Sequence, residues 1–514
     1  MSNRDRIPAQ SHKHFTHYLR HVLRAAAFLL PFICCSLSAN WREYRSDHFQ
    51  LYSDRKPNEA KALLLEFDKF HQVAVQLLGF VEEPRQPVTV FVFKDDSEFR
   101  ALEPDKQVAG FYRSSWQGPF MVVGAETKLE DASLVLFHEY VHHLLRSTNH
   151  HALPLWFEEG VADLLATAKI TGDYAVVGEV HPWREQSLKN HKLLPISELL
   201  SVNYDSTDKT FWSRYYASSW LLLHYLHFGG LSGLDENKIT SISFLLQQLQ
   251  ESQKSKSFLE DATRLNTHQL EESLKQYRER QELLAVRMKI SMPKWKVQQE
   301  SLDKNQQAFI LGELAYRLGK TRIAREYLQQ VDASKKSVGP ALALRAIIEY
   351  HRGQSDIGFH FMSSALKRAP SDTTVLTFAA HLYWDKLLDS HTLSQERQDY
   401  YAEKSKAFAL KALKAHRENI EALRFLWRVQ KYEGNNAQAL HTMREALKLK
   451  PEDVALNFEV GSYLISQQEQ ALARPLLELV VEKDHSLKRK QQALTMLINS
   501  DAQKPLAESN LDHH

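Results

Sequence analysis

Two histidines four residues apart, with a glutamate directly after the first, stand in the apolar segment LFHEYVHH at residues 136–143. On a helix of 3.6 residues per turn, His138 and His142 lie one above the other, so that both imidazoles can reach one metal ion. Glu139 is then directed at whatever the metal holds. Polar groups buried in an apolar run need a strong partner, and a metal is such a partner. The segment therefore predicts a helix that carries two ligands of a zinc site.

A catalytic zinc needs a third protein ligand and an open position for water. A second apolar helix, predicted to start near residue 154, contains Trp156, Glu159, Gly160 and Asp163. The two segments together resemble the gluzincin branch of the zinc metallopeptidases, in which the second helix delivers a glutamate ligand in a Trp-x-x-Glu-Gly context. The resemblance implies that Glu159 is the third ligand, and that the adjacent Glu158 is not one.

The same resemblance gives roles to two further residues. Glu139 is expected to be the general base that takes a proton from the zinc-bound water and later hands it to the leaving amine. Asp163 is expected to accept a hydrogen bond from the far nitrogen of a ligand histidine and so to fix its tautomer. The alternative for these motifs is a buried histidine pair beside a solvated pair of glutamates. His143, His150 and His151 fall off the ligand face or in the loop between the helices and are predicted to be surface or loop histidines.

Residues 40–130 are predicted to form an α/β subdomain with a sheet, and residues 131–285 a helical subdomain with the zinc site. A strand is predicted at 48–53 from its alternation, and another at 87–93 from its β-branched and aromatic residues; 119–124 is predicted as a third strand. Helices are predicted at 58–78, which is amphipathic, and at 95–102. A short hairpin is predicted at 174–180. By resemblance, the strand at 119–124 is an edge strand that holds an extended peptide substrate; the alternative is an ordinary strand of the sheet. The gluzincin aminopeptidase signature Gly-x-Met-Glu-Asn is missing from this strand, which disfavours an aminopeptidase.

The segments LLPISELL (193–200) and FWSRYYASSWL (211–221) resemble the closing helices of the bacterial peptidase-MA-like proteins. Tyr216, in the second segment, is a candidate donor of a hydrogen bond to the oxyanion. The alternative is that Tyr216 belongs to the core.

The chain becomes repetitive after residue 303. Gly319 and Gly353 are 34 residues apart, as are Gly434 and Gln468. This is the period of a tetratricopeptide repeat, which consists of two antiparallel helices. Small residues recur where those helices must touch, and a register of five units fits an all-α solenoid at residues 303–500. A 13-residue excess near 387–399 breaks the register once, and Trp427 replaces a small residue in the fourth unit. Residues 286–302 are predicted to be a linker and 501–514 a tail.

Stacked helix pairs form a concave surface of the kind that binds peptides or proteins. The repeats are therefore expected to bind a protein partner. The alternative is that they only cap and stabilise the preceding domain.

The N-terminal 39 residues resemble a secretory signal peptide, with five basic residues against one acidic residue followed by an uncharged apolar run. Export, most simply to a bacterial periplasm, is the expectation, and an uncleaved membrane anchor is the alternative. Cys34 and Cys35, the two cysteines of the chain, lie in this segment. The remaining chain thus has no thiolate for a disulfide, a zinc ligand or a nucleophile. Its formal net charge without residues 1–39 is −2, which gives no reason to expect a nucleic-acid partner.

The sequence thus predicts an α+β zincin-like metallopeptidase domain followed by a tetratricopeptide-repeat solenoid. The expected activity is zinc-dependent hydrolysis of a polypeptide. The alternative is a catalytically weak or inactive peptidase-like scaffold that acts through protein binding. An intact Glu139 counts against this alternative, because a scaffold has no need of a general base. No feature of the sequence favours a hydrolase of nonpeptide substrates.

Overall fold

The computed structural model describes residues 40–502, except 80–86, 106–107, 109, 116–117, 125–128, 149–152, 181, 202–207, 230–240, 252–254, 281, 292–296, 390–392, 452 and 484–486. The predicted signal peptide or anchor at 1–39 lies outside the described residues, as do His150 and His151 and most of the predicted tail. In the part of the chain that the structure describes, no helix has both the length and the apolar composition needed to cross a bilayer.

A six-stranded sheet organises the N-terminal part of the chain. Its strands are β1 (Arg42–Arg45), β2 (Phe49–Ser53), β3 (Val88–Val92), β4 (Gly110–Ser115), β5 (Gly118–Val123) and β9 (Gln298–Ser301). Their order across the sheet is β4-β5-β3-β2-β1-β9. Strands β2, β3 and β5 are parallel, whereas β4 pairs antiparallel with β5, and β1 pairs antiparallel with both β2 and β9.

The strands β3 and β5 are buried on both faces, and their alternate residues belong to different cores. On β3, Val90 belongs to one apolar cluster and Phe91 to another. On β5, Met121 belongs to the first cluster and Phe120 to the second. Successive side chains of a strand point to opposite faces, so a strand buried on both faces reads as a continuous apolar run.

Helices that pack on the first face of the sheet carry the zinc motif. The first helices that the structure describes are α1 (Pro57–Leu78), α2 (Asp96–Leu102), α3 (Leu129–Thr148) and α4 (Leu155–Ala166). Helices α1, α3 and α4 pack on this face, whereas α2 packs on the other. Helix α1 ends at Gly79, whose φ of 69° suits a residue without a Cβ. Phe70 of α1 stacks on Phe137 of α3, with ring centroids 3.8 Å apart. The sheet and α1 therefore hold α3 in place.

A second, three-stranded sheet and further helices complete this domain. Its strands are β6 (Lys169–Thr171), β7 (Tyr174–Val177) and β8 (Val286–Lys289), in the order β6-β7-β8. The helices are α5 (Pro182–Asn190), α6 (Ile196–Ser201), α7 (Lys209–Phe228), α8 (Ile242–Glu251), α9 (Ser255–Thr263) and α10 (Thr267–Arg278).

The prediction of a linker at 286–302 is wrong, because this segment contributes a strand to each sheet. β8 pairs with β7, and β9 pairs with β1. Apolar periodicity did not reveal these strands, since β9 consists of the polar residues QQES and is exposed. Backbone pairing at a sheet edge holds it in place.

Pairs of helices follow β9, as the 34-residue period predicted. The first two units are α11 (Lys304–Arg317) with α12 (Thr321–Leu328) and α13 (Gly339–His351) with α14 (Ser355–Arg368). Three further pairs are α15 (Thr373–Leu388) with α16 (Gln395–Ala415), α17 (Ile420–Tyr432) with α18 (Asn436–Leu449), and α19 (Val454–Ser466) with α20 (Gln470–Lys483). Helix α21 (Leu487–Ala502) follows the last pair. A helical repeat array therefore fills the C-terminal part of the chain.

Small residues lie where the paired helices touch. A Cβ on Gly358 of α14 would stand 2.9 Å from the carbonyl oxygen of Ala346 on α13. Ser405 of α16 donates a hydrogen bond to the carbonyl of Ala380 on α15, at 2.9 Å. The 13-residue excess of the middle unit falls partly in α16, whose 21 residues make it longer than its counterparts in the other units. Trp427 is buried within α17, so that the fourth unit packs a large side chain where the others have small ones.

The repeat array packs directly on the second face of the sheet. Phe91, Phe93 and Phe120 share an apolar cluster with residues of α11 to α15. The guanidinium of Arg317 on α11 donates to the carbonyl of Gly118, at 2.6 Å, and lies 4.2 Å from the centroid of the Phe120 ring. The array and the sheet therefore form one continuous structure, which places α11 to α15 on one side of the sheet and α1, α3 and α4 on the other.

Candidate metal centre

Three side chains from α3 and α4 converge on one point. The Nε2 atoms of His138 and His142 lie 3.1 Å apart, as expected for residues one helical turn apart on α3. Oε2 of Glu159, on α4, lies 3.3 Å from Nε2 of His138 and 3.4 Å from Nε2 of His142. The structure thus brings together the three residues that the sequence predicted as ligands.

These distances fit a tetrahedral metal ion. With metal–ligand bonds of about 2.0–2.1 Å, tetrahedral zinc requires its ligand atoms to lie about 3.3 Å from one another. The three separations given above differ from this value by about 0.2 Å or less. Two imidazoles and a carboxylate are also the donor set of many catalytic zinc sites, which keep a fourth position open. The residues present fit a zinc ion, which His138, His142 and Glu159 would hold.

Glu158 and Glu159 differ in what they face, although both are buried. Oε2 of Glu158 lies 3.9 Å from Nδ1 of His142, the nitrogen on the far side of that ring from the cluster. Glu159 meets the Nε2 atoms of both histidines. The geometry therefore favours Glu159 as the ligand.

Gly160 allows α4 to approach α7 closely. A Cβ at this position would lie 2.8 Å from the carbonyl oxygen of Ser219 and 3.2 Å from Cβ of Leu223, both on α7. Because the obstacle is partly backbone, an alanine here would push the two helices apart. The glycine after Glu159 therefore has a packing role. By allowing the close approach of α4 to α7, it determines the position of the helix that carries the Glu159 carboxylate.

Asp163 orients His138 through the ring nitrogen that faces away from the cluster. Its Oδ1 lies 3.0 Å from Nδ1 of His138, so Nε2 of the same ring is left for the cluster. Arg184 of α5 donates to both oxygens of Asp163, with Nε at 2.5 Å from Oδ2 and Nη2 at 3.0 Å from Oδ1. The Asp163 side chain is completely buried, and this two-point contact balances its charge.

The cluster contains buried negative charge. Burial alone would lower the pKa of His138, but hydrogen bonds to Asp163 and Glu159 raise that pKa to about 10. Burial would raise the pKa of Glu159, yet the two histidines hold it well below its usual range. Burial would also raise the pKa of Asp163, and Arg184 and His138 hold it low instead. Two buried carboxylates thus stay ionised around the imidazoles, and such a site favours a bound cation.

Glu139 and Tyr216 lie at the margin of the cluster. Glu139 is half-exposed on the same turn of α3 as His138. Tyr216, on α7, packs its ring against the guanidinium of Arg184, 4.7 Å from its centroid. Burial raises the pKa of Tyr216, and the negative charges of Glu159, Asp163 and Glu139 raise it further. The positive charge of Arg184 acts in the opposite direction but does not cancel the increase. The phenol therefore keeps its proton at neutral pH and can donate a hydrogen bond.

The strand at 119–124 is not at the edge of the sheet, so the prediction that it is an edge strand is wrong. It corresponds to β5, which lies between β3 and β4. The edge position belongs to β4, whose residues Gly110–Ser115 pair antiparallel with β5. The strand was not predicted from the sequence, because GFYRSS has few apolar residues. Tyr112 of β4 faces α3, with its hydroxyl 3.4 Å from Nδ1 of His143.

His143 is buried, with 8% of its surface exposed, and the prediction of a surface histidine is wrong for it. It lies behind the cluster, where its ring centroid is 5.9 Å from that of Tyr140. The hydroxyl of Tyr140 is 2.7 Å from Nδ1 of His71 on α1. The His143 side chain is buried because β4 and α1 pack over this side of α3.

Arg184 is the site residue that the sequence did not reveal. It stands 21 residues from Asp163 and belongs to no recognisable motif. A buried carboxylate is rarely unpaired, so Asp163 in an apolar helix indicated that a cationic partner should lie nearby. The identity of that partner follows only from the packing of α5 against the site.

Comparisons with known proteins find structural likenesses only. No family model matches the chain, and neither does any curated protein. One similar solved structure is TTC0263, a thermophilic tetratricopeptide-repeat protein of Thermus thermophilus, at 15% identity over 38% of this chain and 99% of that one, with a TM-score of 0.33. Another is PilF of Pseudomonas aeruginosa, at 16% identity over 39% of this chain and 90% of that one, with a TM-score of 0.31. MamA of AMB-1 matches at 17% identity over 35% of this chain and 99% of that one, with a TM-score of 0.26.

Proposed function

We propose that this protein is an exported zinc metallopeptidase of the gluzincin type, with a repeat array that binds protein. The observation that carries the proposal is the convergence of His138, His142 and Glu159 at separations that suit tetrahedral zinc. Export rests on the signal-like residues 1–39, and retention of that segment as an anchor would place the enzyme on the membrane with the same outward orientation.

The proposed chemistry divides between the metal and the chain. A zinc ion bound here supplies Lewis acidity, which polarises a carbonyl and lowers the pKa of a water to about 7. Glu139 accepts the proton of the attacking water and returns it to the leaving amine. Its half-exposed position on α3 leaves it accessible to solvent and substrate. Asp163 and Arg184 keep His138 in the tautomer and orientation that the site requires.

Two further features support a peptide substrate. Among the described strands, β4 is at the edge of the sheet beside α3, and an edge strand can pair with an extended peptide. The ring of Tyr216 lies against Arg184, the partner of Asp163, and we propose its hydroxyl as a hydrogen-bond donor to the oxyanion.

The scaffold alternative assigns the function to the repeat array and leaves the metal a structural role. The size of the array, five helix pairs and a final helix, is the observation in its favour. The two proposals differ in how open the metal must be, since a structural zinc is enclosed by four protein ligands and a catalytic zinc has three.

Reversible removal of zinc tests the proposal. A chelator at neutral pH should abolish cleavage of casein or of a peptide library while circular dichroism remains native, and added Zn²⁺ should restore cleavage. Loss of the helical signal together with the metal would support the scaffold alternative, as would intact zinc without any cleavage.

A further inference from the structure

A second group of metal-ligating side chains lies in the repeat array, far along the chain from the first. His381 and Asp385 are four residues apart on α15, and His351 is the last residue of α13. Nε2 of His351 lies 2.8 Å from Oδ2 of Asp385, and Nε2 of His381 lies 3.1 Å from the same oxygen. His351 and Asp385 are separated by 34 residues, so that they hold the same place in consecutive units.

Two imidazoles directed at one carboxylate oxygen are more than an ion pair needs. One histidine is enough to pair with the charge of an aspartate, whereas a metal site requires several donors that converge. The three ligand atoms lie within 4.8 Å of one another. His351 keeps 42% of its side chain exposed, while His381 and Asp385 keep 16% and 18%. The cluster is therefore open to a cation from solvent on one side and enclosed on the other.

Neighbouring aromatic side chains contact both imidazoles and restrict their orientation. The hydroxyl of Tyr316 lies 3.4 Å from Nδ1 of His351, on the far side of that ring from Asp385. The phenol oxygen can accept the Nδ1–H of His351. The ring of His381 stacks on Phe425 of α17, with centroids 5.0 Å apart and planes at 25°. The hydrogen bond to Tyr316 favours the tautomer of His351 whose Nε2 is free to bind a metal, whereas the stacking on Phe425 fixes only the ring plane of His381.

We propose that His351, His381 and Asp385 bind a divalent transition-metal ion, for which Zn²⁺ is the probe. Imidazole and carboxylate donors suit zinc, whose tetrahedral ligand atoms lie about 3.3 Å apart. The two separations from Oδ2 of Asp385 are 2.8 Å and 3.1 Å. The ion would join the first helices of the second and third repeat units. Because the ligands come together only in the folded array, its binding stabilises the fold. A coordination position would remain for water or for a side chain of a bound protein.

The test is zinc content per chain, measured by plasma mass spectrometry on the full chain after equilibration with Zn²⁺ and removal of excess metal. We expect two zinc ions in the wild type and one each in His381→Ala, Asp385→Asn and His142→Ala. His360→Ala is the matched control, because His360 is an exposed histidine of α14 outside both clusters, and it should retain two. Asp385→Asn is nearly isosteric, so it separates loss of a ligand from loss of the fold.

Thermal unfolding gives a second measure of the same site. Zn²⁺ should raise the Tm of His142→Ala, which retains the array site alone, and should no longer do so once His381→Ala is added. Equal zinc content in the wild type, His381→Ala and Asp385→Asn would overturn the proposal. So would a His142→Ala variant that binds no zinc.

Discussion

Nδ1 of His138 lies 3.0 Å from Oδ1 of Asp163, which is completely buried and bound at both oxygens by Arg184. This contact links the proposed metal ligand to the helix that carries Glu159. Asp163→Asn should therefore weaken zinc binding at the first site by about 10–100-fold, as is common for partners of ligand histidines. Competition with a chromophoric chelator measures the affinity. Glu185→Gln, next to Arg184 on the exposed side of α5, should leave it unchanged. An unaltered affinity in Asp163→Asn would show that His138 needs no such support.

The neighbouring pair Glu158 and Glu159 permits a direct test of the third ligand. Glu159→Gln should lower the zinc content by one ion per chain, because it removes the carboxylate that faces both Nε2 atoms. Glu158→Gln should leave the content unchanged, since Glu158 faces the far nitrogen of His142. Zinc lost from Glu158→Gln and kept by Glu159→Gln would reverse the assignment.

Asp68 of α1 makes stability depend on pH. The residue is buried, with Oδ1 3.0 Å from the hydroxyl of Ser46, and burial raises its pKa to about 7. In the unfolded chain the carboxyl titrates near pH 4, so the folded state binds the extra proton between about pH 4 and pH 7. Stability is therefore lost as the pH rises through this window.

Asp68→Asn cannot titrate and should be the more stable protein above pH 7, by at most about 4 kcal/mol. Its advantage should grow from about pH 4 to pH 7 and then level off. Urea unfolding at a series of pH values measures this. The exposed Asp261 is the control position, and Asp261→Asn should follow the wild-type pH dependence. A constant difference between Asp68→Asn and wild type across pH would contradict the assigned shift.

The packing of the array on the sheet predicts the effect of Phe120→Ala. Phe120 is 1% exposed, lies in the cluster shared with the array and contacts the guanidinium of Arg317. Its loss should lower the free energy of unfolding by about 3–5 kcal/mol, as for a core phenylalanine. Phe244→Ala, at a residue that is 49% exposed, should change it by about 0.5 kcal/mol or less. Equal, small effects at both positions would mean that the array does not cover the sheet in solution.

Local patterns in the sequence predicted much of this structure. The alternation of 48–53 and the apolar run of 87–93 correspond to β2 and β3, and the 34-residue period corresponds to the helix pairs. The spacing of His138 and His142 indicated one face of one helix, which is what α3 presents. These features depend on neighbours within a turn, a strand or a repeat.

Contacts between distant segments were not predictable in the same way. The β-branched and aromatic residues of 87–93 predicted a strand, but not that helices about 200 residues later would cover one face of its sheet. Strands β4 and β9 have too few apolar residues to show a period of two. His351 and Asp385 did hold equivalent places in consecutive repeats, a signal that sequence analysis could have used.

Zinc content and peptide cleavage, measured on the same preparations of wild type and Glu139→Gln, test the central proposal most directly. Glu139 is proposed as the base and not as a ligand, so the variant should bind as much zinc as the wild type and lose cleavage by several orders of magnitude, while wild type cleaves casein or a peptide library. Equal cleavage by both proteins, or full zinc content without cleavage by either, would contradict the assignment of this site as a metallopeptidase centre.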